Sequence, residues 1–353
     1  MRVAVAGAGA FGRNHLRVLR ELETAGQGVA LVAAVEPDSV RAADAAAKFG
    51  IPVFSTVDKL LSADSRLNAA IVAVPTIHHH AVASALLQAG LDLLVEKPLA
   101  ATLAEADDLM RSAHIGGRIL QPGHLERFNP AVLAIEPQLR RPMFFEAHRL
   151  SIFTPRSLDV DVVLDLMIHD LDIVLTFANS PVREVRAVGL PILSSKVDIA
   201  NVRVEFDSGC VANFTASRVS TERVRKLRFF EPRQYVSIDY ARQDLLVIGV
   251  DAHAAASSAG AVSAGKMDAA ALAKLGAGGH PSPGLSFAKP EVTPGEPLRL
   301  EVEDFLDAVR TRRPPRVTAR QGRDALALAL EIQEAMAAHA RRAGLRDFFA
   351  PGA

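Results

Sequence analysis

Three side chains of this 353-residue sequence have the types and positions needed to move a proton from a hydroxyl group. Asp165 and His169 are four residues apart in a helical pattern, so their side chains share one face, where the aspartate could orient the imidazole and stabilise its protonated form. Histidine titrates near working pH, which suits a general base. Lys97 follows an apolar strand pattern and supplies a positive charge. The competing interpretation is a solvated polar helix face and a solvated lysine.

The elements that would position Lys97 lie before Pro122, where short apolar runs alternate with helical patterns. Uniformly apolar runs are typical of a parallel sheet covered by helices on both faces, and the alternation indicates βαβ units. We therefore predict an N-terminal Rossmann domain over residues 1–122. Its predicted strands are Arg2–Ala6, Ala30–Val35, Ala69–Val74, Leu91–Val95 and Arg118–Gln121.

The elements that would carry Asp165 and His169 lie in a strand-rich region, interrupted by one helical pattern at Val162–Phe177. Many strands with few helices indicate a mainly antiparallel sheet. The fold class expected is α/β, with the Rossmann domain followed by an α+β domain over residues 123–353 that contains a large, open, mainly antiparallel sheet. The predicted strands are Met143–Leu150, Val182–Leu190, Ala200–Phe206, Cys210–Ser217, Val224–Phe230, Tyr235–Asp239 and Leu245–Val250.

Residues 251–297 are rich in Ala, Gly, Ser and Pro and show no sustained apolar periodicity. This composition predicts a flexible insertion rather than a third domain. Two helical patterns, Leu298–Arg312 and Arg320–Arg342, close the chain.

A glycine-rich motif joins the first predicted strand to a helix. Gly7 allows a tight turn, Gly9 lets the backbone approach a pyrophosphate, and Gly12 lets helix and strand pack closely. The helix N-terminus adds free N–H groups and a positive dipole end. We predict a dinucleotide site here, which also includes Ala10 and Phe11.

An acidic residue, Glu36, ends the second strand. A carboxylate at this position accepts hydrogen bonds from the ribose hydroxyls and repels a 2′-phosphate, which favours NAD over NADP. Arg41 lies nearby and leaves NADP as the open alternative.

Further motifs resemble the Gfo/Idh/MocA family of oxidoreductases across nearly the whole chain except residues 251–297. They are Val74-Pro75-Thr76-Ile77-His78-His79, Ala89-Gly90, Val95-Glu96-Lys97-Pro98, Asp165 to His169, Glu303-Asp304-Phe305, Pro314-Pro315 and Gly322. Thr76 and Val74 depart from the asparagine and threonine common there. The resemblance implies a Rossmann dehydrogenase in which His79 neighbours the nicotinamide. It also implies cofactor contacts from Pro75, Thr76, Glu96, Lys97 and Gln121.

The same resemblance implies catalytic roles: His169 as base, Asp165 as the residue that orients it, and Lys97 as electrostatic and proton-relay partner. Segments 123–130 and 162–172 are similar to the branch that oxidises the 3-hydroxyl of UDP-N-acetylglucosamine. For such a substrate, the residues after the last Rossmann strand should lie at the domain crevice, and arginines could clamp a diphosphate. The crevice residues are His124, Arg127 and Asn129, and the candidate clamp arginines are Arg149, Arg156 and Arg218.

Composition excludes several partners. Lys plus Arg and Asp plus Glu both number 40, so no global field attracts nucleic acid or an anionic membrane. Cys210 is the only cysteine, which excludes an intramolecular disulfide and suits the cytoplasm. Its position in a strand after a glycine turn is typical of a core residue. The run His78-His79-His80 lacks companion ligands, so we expect no metal. A homodimer or homotetramer is expected from the resemblance alone.

Two other functions stay open from sequence. One is a family dehydrogenase that acts on another sugar or on a polyol such as inositol. The other is a non-catalytic NAD-binding regulator, because fold alone does not determine function. The presence of Lys97, Asp165 and His169 together favours an enzyme over a regulator.

Overall fold

The computed structural model describes residues 1–63, 66–153, 160–250 and 285–345. The chain divides into two compact units. The first unit comprises Met1–Phe128 and Gly295–Leu330, and the second comprises Asn129–Pro294 and Glu331–Ala353.

The first unit contains a six-stranded, fully parallel sheet with the order β3-β2-β1-β4-β5-β6. The strand order reverses between β1 and β4, which is the point where a doubly wound sheet binds its ligand. The strands are β1 (Arg2–Ala6), β2 (Ala30–Val35), β3 (Val53–Phe54), β4 (Ala69–Val72), β5 (Asp92–Glu96) and β6 (Leu120–Gly123). The helices are α1 (Gly12–Thr24), α2 (Ser39–Phe49), α3 (Val57–Ala63), α4 (His79–Gln88) and α5 (Leu103–Gly116). The predicted Rossmann fold is confirmed.

A late segment of the chain also belongs to the first unit, which differs from the single boundary predicted at residue 122. Helix α8 (Pro297–Thr311) buries Val302 and Phe305 in the same apolar cluster as Leu16 and Leu19 of α1. This burial draws α8 to the Rossmann sheet, because its apolar stripe needs a matching apolar surface. The last helix, α9 (Ala319–Arg342), begins in the first unit and ends in the second.

The second unit contains an eight-stranded sheet with the order β14-β13-β12-β11-β7-β10-β9-β8. Its neighbouring strands are antiparallel except for the parallel pair β7 and β10, as the mainly antiparallel prediction requires. The strands are β7 (Phe144–Leu150), β8 (Val182–Leu190), β9 (Ile199–Phe206), β10 (Val211–Ser217), β11 (Val224–Glu231), β12 (Gln234–Asp239), β13 (Asp244–Val250) and β14 (Leu285–Ala288). Among the described residues, the helices of this unit besides the end of α9 include α6 (Pro130–Ile135) and α7 (Ile168–Ala178).

The segment predicted as a flexible insertion, residues 251–297, ends in regular structure. Strand β14 pairs with β13 through Phe287 and Ile248, and α8 begins at Pro297. Pairing with β14 satisfies backbone N–H and C=O groups along the edge of β13. Because the two strands are far apart in sequence, composition does not predict this pairing. Residues 251–284 lie outside the described part of the chain.

Within the described ranges, no helix is both long enough and apolar enough to cross a bilayer.

Candidate active site

The glycine turn between β1 and α1 has the geometry that the motif predicts. Gly7 has a φ of 99°, and a Cβ there would lie 2.4 Å from the carbonyl oxygen of Ala73. A Cβ on Gly12 would lie 1.9 Å from the carbonyl oxygen of Gly7. Gly9 meets nothing within 4 Å, and the adjoining Ala10 and Phe11 are exposed. The turn is therefore tight on its protein side and open where a pyrophosphate would approach.

Glu36 lies buried at the end of β2 and faces this turn. Its Oε2 accepts the backbone N–H of Ala8 at 3.0 Å, and its Oε1 accepts the N–H of Asp38 at 3.1 Å and Arg41 Nη2 at 2.8 Å. Burial by itself would raise the pKa of Glu36, but these hydrogen bonds outweigh it and lower the pKa below its ordinary value. The carboxylate is therefore ionised at neutral pH, as discrimination against a 2′-phosphate requires.

Lys97 is half-buried between two buried neighbours, Glu96 and Pro98, at the end of β5. Glu96 Oε1 lies 2.6 Å from Nε2 of His15, a fully buried residue of α1. The carboxyl ends of β1, β4 and β5 meet at one edge of the sheet, so the lysine belongs to the same edge as the glycine turn.

His79, the expected nicotinamide neighbour, is buried. Its Nδ1 lies 2.8 Å from the carbonyl oxygen of Pro98 and its Nε2 lies 2.9 Å from that of Val74. Burial lowers the pKa of His79 below its ordinary value, against the opposing effect of these carbonyls and of the Glu96 charge. These two contacts indicate that His79 connects the turn after Lys97 to the segment that follows β4.

The other two histidines of the run His78-His79-His80, and the turn at Pro75 and Thr76 before it, also have defined surroundings. His78 is exposed, while His80 Nε2 lies 2.9 Å from Oδ2 of Asp108. Pro75 is exposed and Thr76 is half-buried, in positions open to a ligand. Within the described residues, no group of three or more metal-ligating side chains is found.

The segment after β6 is more buried than a substrate surface would be. Gln121 is fully buried, and its amide donates to the carbonyl oxygen of Glu301 at 3.4 Å. His124 and Arg127, both of the first unit, are 1% and 3% exposed. In the second unit, Asn129 caps α6 at Ala131 and donates to the carbonyl oxygen of Tyr240 at 3.0 Å. Asn129 therefore has a structural role that its sequence neighbourhood did not reveal.

The Asp165 and His169 helix begins in an unusual form. Residues Val163–Met167 make a π-helical turn that runs directly into α7, so Asp165 lies in the π turn and His169 in the α-helix. Both side chains are half-buried, whereas Ile168 and Asp170 beside His169 are buried. A π turn inside a helix is frequent at functional sites, because it shifts side chains relative to a regular α-helix.

The π turn is capped by the adjacent Asp161, which is itself held by a residue far along the chain. Asp161 Oδ1 accepts the N–H groups of Val163 and Leu164 at 3.0 and 3.1 Å. Asp161 Oδ2 accepts Gln333 Nε2, from α9, at 2.6 Å. The position of Asp165 therefore depends on the C-terminal helix.

Two of the three arginines expected to clamp a diphosphate are engaged inside the second unit. Arg149 and Asp170 form a buried, bidentate ion pair at 2.7 and 3.0 Å, and the guanidinium lies 5.1 Å from the Tyr240 ring. Arg218 donates to the carbonyl oxygen of Val160 at 2.6 Å. A buried guanidinium needs a fixed acceptor, so this burial argues against the clamp. Arg156 lies outside the described residues.

Cys210, expected in the core, is buried. Burial raises the pKa of its thiol to about 11, so it is not a thiolate at neutral pH.

Comparison with known proteins decides the family. A model described as an oxidoreductase family with an NAD-binding Rossmann fold matches residues 1–124, and a GFO/IDH/MocA C-terminal domain model matches residues 131–234. The chain belongs to the Gfo/Idh/MocA family of oxidoreductases. The predicted enzyme class and its NAD cofactor are thereby confirmed.

Among the similar members of the Gfo/Idh/MocA family is UDP-N-acetylglucosamine 3-dehydrogenase of Acidithiobacillus ferrooxidans. It is 34% identical over 97% of this chain and 99% of the relative. Its crystal structure superposes with a TM-score of 0.83 over 96% of this chain and 98% of that one, at 33% identity. Inositol 2-dehydrogenase of Acidothermus cellulolyticus is 31% identical over 53% of this chain and 56% of the relative. Levoglucosan dehydrogenase in complex with NADH shares the fold, at 17% identity with a TM-score of 0.78 over 96% and 97% of the two chains.

The residues present fit an NAD cofactor. Gly9 leaves space for a pyrophosphate at the N-terminus of α1. The ionised Glu36 is held beside the glycine turn by the backbone N–H of Ala8. Sequence reasoning missed His15, Asp161, Asp170 and Gln333, which hold the candidate residues in place. An aspartate directly before a helical pattern is an N-cap signal, so Asp161 alone could have been found.

Proposed function

We propose that this Gfo/Idh/MocA enzyme is an NAD-dependent dehydrogenase of UDP-N-acetylglucosamine, which oxidises the 3-hydroxyl to a ketone. The observation that carries the proposal is the similarity to a UDP-N-acetylglucosamine 3-dehydrogenase along essentially the whole of both chains. Similarity to inositol 2-dehydrogenase covers about half of this chain. Because the similarity to the nucleotide-sugar enzyme extends through both units, it favours the nucleotide sugar over a free polyol.

In the proposed reaction, NAD supplies the acceptor for the hydride that leaves C3. The glycine turn and the start of α1 receive the pyrophosphate, and Glu36 accepts hydrogen bonds from the ribose hydroxyls. The hydroxyl proton passes to the His169 imidazole, while the Lys97 ammonium stabilises the developing alkoxide. Asp165 orients the imidazole and stabilises its protonated form.

The different settings of Lys97 and His169 support these roles. Lys97 is half-buried on a strand end between two buried residues, which holds its backbone in place. His169 is half-buried between the buried residues Ile168 and Asp170, which fix the backbone that carries the imidazole. Partial burial of this kind strengthens electrostatic effects on a substrate relative to bulk water.

The test is incubation of the enzyme with NAD and UDP-N-acetylglucosamine, following NADH by absorbance and the 3-keto product by mass spectrometry. We expect turnover by the wild type and a loss of about 100-fold or more in kcat for Lys97→Ala and for His169→Ala. The exposed residues Lys59 and His114 provide matched controls, and Lys59→Ala and His114→Ala should retain wild-type rates. Wild-type turnover by either active-site variant would remove that residue from the mechanism.

A panel of alcohols separates the remaining alternatives. Oxidation of inositol or another free polyol, with no reaction of the nucleotide sugar, would favour the second candidate, which the inositol 2-dehydrogenase similarity supports. Tight NADH binding without turnover of any alcohol would indicate a regulator. The cytoplasmic location and the homodimer or homotetramer expected from the sequence stay predictions.

A further inference from the structure

A buried polar pair, His15 and Glu96, joins the helix that follows the glycine turn to the strand end that carries Lys97. Glu96 is the last residue of β5 and directly precedes Lys97. His15 Nε2 lies 2.6 Å from Glu96 Oε1, and the His15 side chain is fully buried. His15 belongs to the first turn of α1, which starts at Gly12 of the glycine turn. One hydrogen bond therefore connects the helix that receives a pyrophosphate with the strand end that carries the lysine.

The neighbouring strand is shaped around the Glu96 carboxyl group. Gly123 of β6 lies opposite Glu96 in the sheet register. A Cβ on Gly123 would lie 3.0 Å from Glu96 Cα and 3.1 Å from Glu96 Oε1, closer than an ordinary contact. The carboxyl group thus occupies the space that a side chain at residue 123 would fill. Three elements, α1, β5 and β6, converge on this one group.

The hydrogen-bond partners of the His15 ring determine which of its nitrogens carries the proton. Within the described residues, Nδ1 of His15 is buried and has no hydrogen-bond partner. An unpaired buried donor costs more than an unpaired acceptor on a neutral ring, so the ring proton belongs on Nε2, where Glu96 accepts it. Phe11, at the tip of the glycine turn, contacts the His15 ring edge-on with centroids 5.4 Å apart. The ring is thus held from the turn and from the strand.

We propose that His15 and Glu96 are positioning residues that fasten the start of α1 to the Lys97 strand end, so that bound dinucleotide and lysine keep one geometry. The role for Lys97 rests on the proposed function; the coupling to dinucleotide binding does not. A misplacement of about 1 Å between reacting groups can reduce a rate about 100-fold, which makes such a fastening valuable.

A purely structural role makes a different prediction. Replacing both partners of a buried hydrogen bond by apolar residues of similar shape is often nearly neutral or stabilising. The double variant His15→Leu/Glu96→Leu should therefore fold in either case. If the pair only fills space, this variant retains NADH affinity and kcat. If the pair positions Lys97 and the turn, the variant stays folded and loses both.

The experiment measures NADH affinity by fluorescence titration, together with kcat and the KM for NAD. We expect His15→Leu and the double variant to bind NADH about tenfold more weakly, with a fall in kcat of tenfold or more. His15→Gln keeps an N–H near the Nε2 position and should stay within about threefold of wild type. His80→Leu, at the half-buried pair with Asp108, is the matched control and should change neither quantity.

Two comparisons keep the test decisive. If His15→Leu fails to fold in thermal melting, His15→Asn against His15→Gln replaces it, because only the longer amide reaches the Nε2 position. Wild-type NADH affinity and kcat in the folded double variant, or in His15→Asn, would overturn the proposal. Absence of turnover in the wild type would contradict the proposed function instead, and the series of NADH affinities would still decide whether the pair positions the turn.

Discussion

The glycine turn of the first unit and the π turn of the second unit are held in place by different means. The glycine turn is shaped by its own residues: Gly7 adopts a left-handed φ, and Gly12 has room only for hydrogen against the Gly7 carbonyl. The π turn is capped by Asp161, which is itself bound by Gln333, 172 residues further along the chain.

This difference separates local from long-range control of geometry. A turn defined by steric limits on a few adjacent residues forms wherever that short sequence follows a strand. A π turn is less favourable than a regular α-helix and persists where surrounding contacts hold it. The dinucleotide site should therefore tolerate substitutions outside the first unit, where its own supports such as the His15–Glu96 pair lie. The Asp165 and His169 geometry should respond to a substitution as far along the chain as Gln333.

The largest expected effect is at the buried ion pair beside His169. Arg149→Met leaves Asp170 as an uncompensated buried charge, so we expect unfolding free energy to fall by about 3–5 kcal/mol in urea denaturation. Arg149→Met/Asp170→Leu should recover most of that loss, because no buried charge remains. A loss below about 1 kcal/mol in the single variant would show that this pair does not hold α7.

An intermediate effect is expected at Glu36, where control is local. Glu36→Ser removes the charge that repels a 2′-phosphate and releases Arg41, which is bound to it at 2.8 Å. We expect the ratio of kcat/KM for NADP to that for NAD to rise about tenfold or more, a change of about 1.4 kcal/mol. Glu36→Ser/Arg41→Ala separates the two causes and should keep only part of the rise. An unchanged ratio would mean that Glu36 does not select the cofactor.

The smallest effect should come from the cap of the π turn. Asp161→Ala removes the acceptor for two backbone N–H groups and should cost about 1 kcal/mol of unfolding free energy. It should also lower kcat while leaving NADH affinity unchanged, since the dinucleotide site lies in the other unit. Gln333→Leu should show the same pattern more weakly.

A cap in the first unit supplies the control for Asp161. The Thr102 hydroxyl accepts the N–H of Glu105 at the start of α5. Thr102→Ala should cost a similar unfolding free energy without the selective loss of kcat. If both variants lower kcat equally, the effect on Asp161 is general destabilisation rather than displacement of Asp165.

Much of the first unit was predictable because its signals are local. The bounds of β1 and β2 match the predicted strands, and the glycine turn and Glu36 have the expected geometry. The second unit was predictable as a set of strands, because alternation of buried and half-buried residues, as along β7, is also a local signal. The order of those strands, and the addition of β14, required knowledge of long-range pairing.

The sequence by itself therefore determined the Rossmann turn, the family and the candidate residues Lys97, Asp165 and His169. Only the tertiary structure decided which polar side chains are buried partners. Arg149 pairs with Asp170, and His15 with Glu96, across separations that no local pattern encodes. A buried charge must find its counter-charge wherever the fold brings one, so its role follows from packing rather than from its neighbours in sequence.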